Sequence, residues 1–169
     1  ASRNHEWGWE AEEGVENARA QVAKAIGADP KEIVFTSGAT EADNLALKGV
    51  VDMYREKGDH IITVPTEHKA IVDTAKHLEQ EGCKVTWLEV GKDGLIDPET
   101  VRKAITDETV LISIMLANNE IGVIQPIREI GAIAKEAGVV FHTDAVQGLG
   151  KVPMDVSDLG VHLMSLSAH

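Results

Sequence analysis

Short apolar runs alternate with longer segments whose apolar residues recur at helical spacing, and the alternation continues along all 169 residues. Val15, Ala18, Val22 and Ile26 recur every three or four positions, which predicts an amphipathic helix over 10–26. Acids stand early in it, Lys24 late, and Gly27 is its stop. Asp29-Pro30 then turns the chain into a short β-rich run at 32–35. A second helix is expected over 41–56, with Leu45, Leu47, Val50, Val51 and Tyr54 facing inward. A strand at 60–64 follows, and then a helix over 68–81 that Gly82 ends. The segment 84–90 alternates Val85 and Trp87 with polar neighbours, a strand by period. Asp97-Pro98 caps a helix to residue 105, with proline at its first position. Residues 110–115 read as a buried strand, and the loop 117–122 leads through Pro126 into a helix ending at Ala137. The run Val139-Val140-Phe141-His142-Thr143-Asp144 is the next strand, and 163–167 the last.

Strands that alternate with helices over the whole length predict an α/β fold, a mostly parallel sheet with helices on both faces. No internal repeat, low-complexity segment or linker interrupts the pattern. The final strand has no helix after it, so the chain is expected to be part of a larger domain. Open sheets of this kind bind their ligands outside the carboxyl ends of the strands.

Composition narrows the partners. Hydrophobic residues make up 43% and charged residues 26%, the balance of a soluble globular protein. A net charge of −12 and a pI near 4.9 leave no basic stripe for nucleic acid. The apolar runs are strand-sized, so no membrane span is expected, and the first ten residues hold no apolar signal core. A single cysteine, Cys83, rules out an internal disulfide framework and suits a reducing compartment, so a cytoplasmic location is expected.

Five predicted strand ends deliver polar groups to one rim. Thr36-Ser37-Gly38-Ala39-Thr40-Glu41 lies between a β-rich run and a helix. It suits a phosphate cradle, with Gly38 allowing close approach and hydroxyls beside free helix-terminal N–H groups. It reads equally as a well-capped helix, Thr40 and Asp43 forming a capping box. No lysine follows the glycine at P-loop spacing. His68, in Thr66-Glu67-His68-Lys69, is either a functional imidazole or a helix-start histidine with its hydrogen bond satisfied. Asn118-Asn119-Glu120 follows a buried strand, so at least one amide should face the rim, although asparagine pairs also form ordinary turns. Asp144 and Gln147 follow the next strand, and Ser167 and His169 the last.

A metal set of His142, Asp144, His68 and His169 lacks any supporting helical spacing, and His142 alternates on a strand buried on both faces. Cys83 opens a strand far from the rim and reads as a small structural residue. The acids 10–13 and Glu16 read as a solvated helix face. A phosphorylated heteroaromatic ring with a basic nitrogen satisfies the rim as a whole. A carboxylate ~4 Å from a pyridinium favours the protonated ring by about 4 kcal/mol at an effective dielectric of 20, or ~3 pKa units. Pyridoxal phosphate with an aspartate partner is such an arrangement.

The segments Thr36-Ser-Gly-Ala-Thr-Glu-Ala-Asp-Asn44, Thr66-Glu-His-Lys69, Asn118-Asn-Glu-Ile-Gly122, His142-Thr-Asp-Ala-Val-Gln147 and Ser165-Leu-Ser-Ala-His169 resemble, in order and spacing, the cysteine desulfurases of the NifS/IscS type. Ala1-Ser-Arg-Asn-His5 resembles a segment near that family's N-terminus. The resemblance implies a fold-type I, class V aminotransferase-like enzyme, with residues 1–169 as part of its pyridoxal-phosphate-binding large domain. It implies that Ala39 and Thr40 hold the phosphate from one side, and Ser167 and His169 from the other. His68 would stack on the ring and shuttle protons, Asp144 would pair with the ring nitrogen, and Gln147 would bond the ring hydroxyl. Asn119 would lie near that oxygen and the substrate carboxylate.

The implied activity turns L-cysteine into L-alanine and passes sulfur as a persulfide toward iron–sulfur cluster assembly, in a homodimer working with a scaffold or other acceptor protein. A selenocysteine lyase, another class V enzyme and a non-catalytic cofactor-binding or assembly partner are the alternatives. The family's Schiff-base lysine is expected directly after His169, and its catalytic cysteine further on; Cys83, Lys48, Lys69 and Lys151 match neither position. The 169 residues alone are therefore expected not to turn over. His162 stands where the family usually carries an acid.

Overall fold

The computed structural model describes residues 5–168. Helix α1 spans Glu6–Ile26, a single 3₁₀ turn spans Pro30–Glu32, and α2 spans Ala39–Tyr54. Strand β1 (His60–Thr63) leads through α3 (Lys69–Gln80) to β2 (Lys84–Trp87), and α4 (Pro98–Ala104) returns to β3 (Thr109–Ser113). Helix α5 (Ile127–Ala137), β4 (Val140–Asp144), α6 (Val156–Leu159) and β5 (Leu163–Ser165) follow. All strand pairs are parallel, in the order β2-β1-β3-β4-β5. The expected α/β architecture is what forms.

The alternation of side chains along the strands builds two cores. Ile61 and Leu111 point to the face covered by Leu47, Val50 and Val51 of α2 and by Ile71 and Leu78 of α3. Ile62, Ile112 and Phe141 point to the opposite face, under Val101 of α4 and Ile127, Ile130 and Ala134 of α5. Burying each such side chain stabilises the fold by roughly 1.5–3 kcal/mol before chain entropy is counted. Gly131 lets the second layer close: a Cβ there would lie 2.1 Å from the Leu159 carbonyl oxygen, so α6 can approach α5 only at a glycine.

The strand order reverses beside β1. From β1 the chain moves outward to β2 across one face, then returns past β1 to β3 and continues the other way across the opposite face. The loops after β1 and β3 therefore diverge and leave a crevice at the carboxyl ends of the strands. This is the rim on which the polar motifs were expected to gather.

Several expectations fail locally, each for a packing reason. Residues 32–35 form no strand, because Asp29 caps the 3₁₀ turn and Val34 and Phe35 then run exposed, with no neighbouring strand to pair. Helix α1 starts earlier than expected, at Glu6, where the His5 ring accepts from the Gly8 N–H. Of its expected apolar face only Ile26 is buried, together with Ala23 and Gly8, while Val15 and Ala18 stay exposed. Leu45 and Tyr54 of α2 also face outward, since the helix buries the stripe through Asp43, Leu47, Val50 and Val51. The last strand stops at Ser165, and the single turn of α6, capped by Asp155, was not anticipated. No helix among the described residues is long and apolar enough to cross a membrane.

Candidate functional site

A cavity of about 430 Å³ opens at the rim, lined by Ala39, Thr40, His68, Asn119, Asp144, Gln147 and Ser167, along with Gly38 and Met115. Every site residue expected from the sequence is therefore present on one wall or another, except His169, which lies outside the described residues.

The wall from α2 is a helix end left open. Gly38 occupies the N-cap position and offers no side-chain hydrogen bond, so the first-turn N–H groups of a 16-residue helix point toward the cavity. The expected capping box does not form. Thr40 lies within the first turn and Asp43 is turned into the core, while Glu41 reaches back to accept from the Ser37 N–H at 2.5 Å. The Ser37 side chain and, after it, the Ser37 N–H hold the Glu41 carboxyl below its usual range. Thr40 keeps its side chain exposed at the opening, and Ser167 lines the same cavity from beyond β5. Donors of this kind suit an anion.

The loop after β1 delivers His68 as the N-cap of α3. Its Nδ1 accepts from the Ala70 N–H at 3.2 Å, which places the proton of a neutral ring on Nε2. One nitrogen of His68 thus caps the helix while the ring lines the cavity.

After β3 the two asparagines divide the work. Asn118 is buried, its Oδ1 accepts from the Glu120 and Ile121 N–H groups at 2.9 Å, and its Nδ2 donates to the Thr66 carbonyl at 2.9 Å. The loop is held rigid by Asn118, and Asn119 is left exposed at the cavity.

β4 ends in Asp144, 5% exposed, with Oδ1 accepting from the Val146 N–H at 3.0 Å. Burial pushes its carboxyl up, opposed by that N–H and by the nearby His68. Gln147 lies one turn further, and its Oε1 accepts from Lys151 Nζ at 2.7 Å, which turns the amide NH₂ away from the lysine as a free donor.

Beneath the rim lies a polar layer that sequence reasoning missed. Asp43 is fully buried, neither carboxylate oxygen has a hydrogen-bond partner among the described residues, and burial with the Asp144 charge pushes its carboxyl up to about 7. Glu67 is buried as well, with Oε1 on the Met115 N–H at 2.6 Å, and desolvation raises its carboxyl well above the usual range. A signal for Asp43 existed: it stands four residues before Leu47 and seven before Val50, on the buried stripe of α2. His142, weighed above as a metal ligand, commits its Nδ1 to Ser113 Oγ and its Nε2 to Ser165 Oγ, both at 2.9 Å. Full burial lowers its pKa to about 3, so the ring is neutral. Cys83 lies at the amino end of β2, away from the rim, and burial pushes its thiol up.

Fold and site together define an open parallel α/β domain with an anion cradle and a buried carboxylate on opposite walls of one crevice. The chain belongs to the aminotransferase class-V family, whose model matches residues 1–169. It is 57% identical over 168 residues to the cysteine desulfurase IscS of Rickettsia massiliae (strain Mtu5), covering 99% of this chain and 41% of that protein. Among solved structures it is similar to SspA in complex with cysteine, at a TM-score of 0.96 and 42% identity, over 99% of this chain and 48% of that one. It is also similar to a NifS-like protein, at a TM-score of 0.94 and 42% identity, over 98% of this chain and 46% of that one. The chain thus spans less than half the length of these relatives.

Proposed function

We propose that these residues form part of the cofactor-binding large domain of a pyridoxal-phosphate-dependent cysteine desulfurase. The enzyme converts L-cysteine to L-alanine and hands the sulfur, as a persulfide, to a scaffold or other acceptor protein for iron–sulfur cluster synthesis. It works as a homodimer in the cytoplasm. The observation that carries the reading is the pairing, across one cavity, of the open N-terminus of α2 with the buried carboxylate of Asp144. A ligand with a phosphate at one end and a ring cation at the other satisfies both. The relatives named cysteine desulfurase, and a neighbour whose structure contains cysteine, support that substrate.

Bound there, the cofactor supplies an electron-withdrawing ring that stabilises negative charge next to the substrate's amine carbon. The chain's own residues do the rest. Ala39 and Thr40 would hold the phosphate with the first-turn N–H groups of α2, and Ser167 and His169 would hold it from the other side. Asp144 keeps the ring nitrogen protonated, and Gln147 donates its free amide to the ring hydroxyl. His68 would stack on the ring, and its Nε2 proton could be passed to or from the reacting atoms. Asn119 orients the ring oxygen and the substrate carboxylate.

No lysine or cysteine lines the cavity among the described residues, so the cofactor's anchoring lysine and the sulfur-accepting cysteine are supplied by other parts of the polypeptide. The full-length natural chain, loaded with pyridoxal phosphate, should give alanine and reductant-releasable sulfide from L-cysteine in equal amounts. A loaded chain that produces neither, or acts only on L-selenocysteine, refutes the assignment.

A further inference from the structure

The proposed cofactor engages Asp144, while the buried Asp43 carboxyl beneath it has no hydrogen-bond partner among the described residues. Asp43 projects from α2 into a space enclosed by three other parts of the fold. β4 contributes Asp144 and His142, β5 contributes Ser165, and the connection from β1 to α3 contributes Glu67 and His68. The ligand atoms of Asp43, His68 and Asp144 all lie within 4.8 Å of one another. His142 Nε2 is 3.8 Å from Asp43 Oδ1, yet it is bonded to Ser165 and stays neutral, so it brings no positive charge. Glu67 adds a second carboxyl to the layer, bonded to backbone instead of to a cation. The site therefore holds two acids at the ring position and, among the described residues, no buried cation to compensate them.

Such a pair cannot carry two charges cheaply while the cavity holds only water. A cation that settles on Asp144 changes the balance, because it cancels the charge that opposes ionisation of Asp43. We propose that Asp43 is a positioning residue for the cofactor: it carries a proton while the site is open and releases it when the ring cation settles on Asp144. The Asp43 O–H bond breaks, the proton passes to bulk water, and no electrons are transferred. One charge enters as one leaves, so the buried layer keeps its net charge, and the ionised Asp43 then adds its field from behind Asp144, which holds the ring. The titration of Asp43 close to neutrality makes the exchange available at ordinary pH.

This inference rests on the proposed cofactor, and the experiment separates the two. The full-length natural chain and its Asp43→Asn variant, both freed of cofactor, are titrated calorimetrically with 4′-deoxypyridoxine 5′-phosphate, which lacks the aldehyde. Titrations run at pH 7 in buffers of different ionisation enthalpy. The natural chain should release more protons than the variant, by about half a proton per site for a carboxyl that titrates near 7, and the ratio of its affinity to the variant's should rise as pH passes through 7. Equal proton counts overturn the proposal. If the variant fails to fold or bind, carbon-13 carboxyl spectra of the natural chain decide: the Asp43 midpoint should lie near neutrality without the probe and fall when it binds. A midpoint that stays in place overturns the proposal alone, whereas a natural chain that does not bind the probe overturns the cofactor reading with it.

Discussion

Asn118 Nδ2 donates to the Thr66 carbonyl at 2.9 Å, so the loop after β3 is tied to the loop after β1 across the point where the strand order reverses. Together with the Met115 N–H donated to Glu67 Oε1, it sets the spacing between Asn119 and His68, the groups that flank the crevice. Asn118→Ala also orphans the Glu120 and Ile121 N–H groups. It should destabilise the fold by about 2–3 kcal/mol. Asn119→Ala, at an exposed position, should change stability by less than about 0.5 kcal/mol and act on cofactor binding instead. Chemical denaturation of both variants checks the contrast, and equal losses would show that the two asparagines are not divided between frame and site.

Gln147 offers its amide because Lys151 occupies its Oε1. In Gln147→Glu the carboxylate keeps the lysine and loses the donor. Pyridoxal phosphate should then bind the full-length chain about tenfold more weakly, the worth of one hydrogen bond. Fluorescence titration reads the change; unaltered affinity would remove Gln147 from the site.

The buried histidine and the buried acids pull pH stability in opposite directions. The His142 pKa falls from 6.5 unfolded to about 3 folded, so the unfolded chain binds more protons between those values. Stability from this residue is complete above 6.5 and is lost as pH falls toward 3, by at most about 1.4 kcal/mol per unit. Glu67 has the opposite sign: its folded pKa is raised, so its burial costs least in acid and most once an unfolded glutamate ionises. Glu67→Gln should therefore gain stability relative to the natural chain as pH rises from 4 to 7. Melting curves across that range test it, and a difference that shrinks with pH would contradict a protonated Glu67.

Cys83 stands at the amino end of β2, at the opposite end of the strands from the cavity. In the full-length chain Cys83→Ala should retain the natural rate of alanine formation from L-cysteine. A fall of tenfold or more, with folding intact by circular dichroism, would bring this thiol into the chemistry.

The 169 residues expressed alone, mixed with pyridoxal phosphate and L-cysteine, should release neither alanine nor sulfide, because no lysine or cysteine lines the cavity among the described residues. Measurable turnover by mass-spectrometric assay of alanine would refute the requirement for groups from elsewhere in the polypeptide.

Local patterning determined a large part of this protein. The apolar runs at β1, β3 and β4 read as buried strands, and Gly27 and Asp97-Pro98 marked helix ends that the backbone honours. Parallel connections then force strand ends to one rim, so His68, Asn119, Asp144, Gln147 and Ser167 were legible as neighbours without coordinates, whereas Thr40 reaches the rim at the start of α2 and not after a strand. Tertiary structure decided what no period encodes. Val34 and Phe35 have β propensity but no partner strand among the described residues, and Val15 has helical spacing but stays exposed. Asp43 shows the limit most clearly: in sequence it is a capping residue beside a threonine, and only the rotation of α2 over β4 places it behind Asp144. Hydrophobic spacing fixes which residues share a face, but the charge state of a buried acid depends on which groups the fold sets beside it, and that is a property of the packed layers.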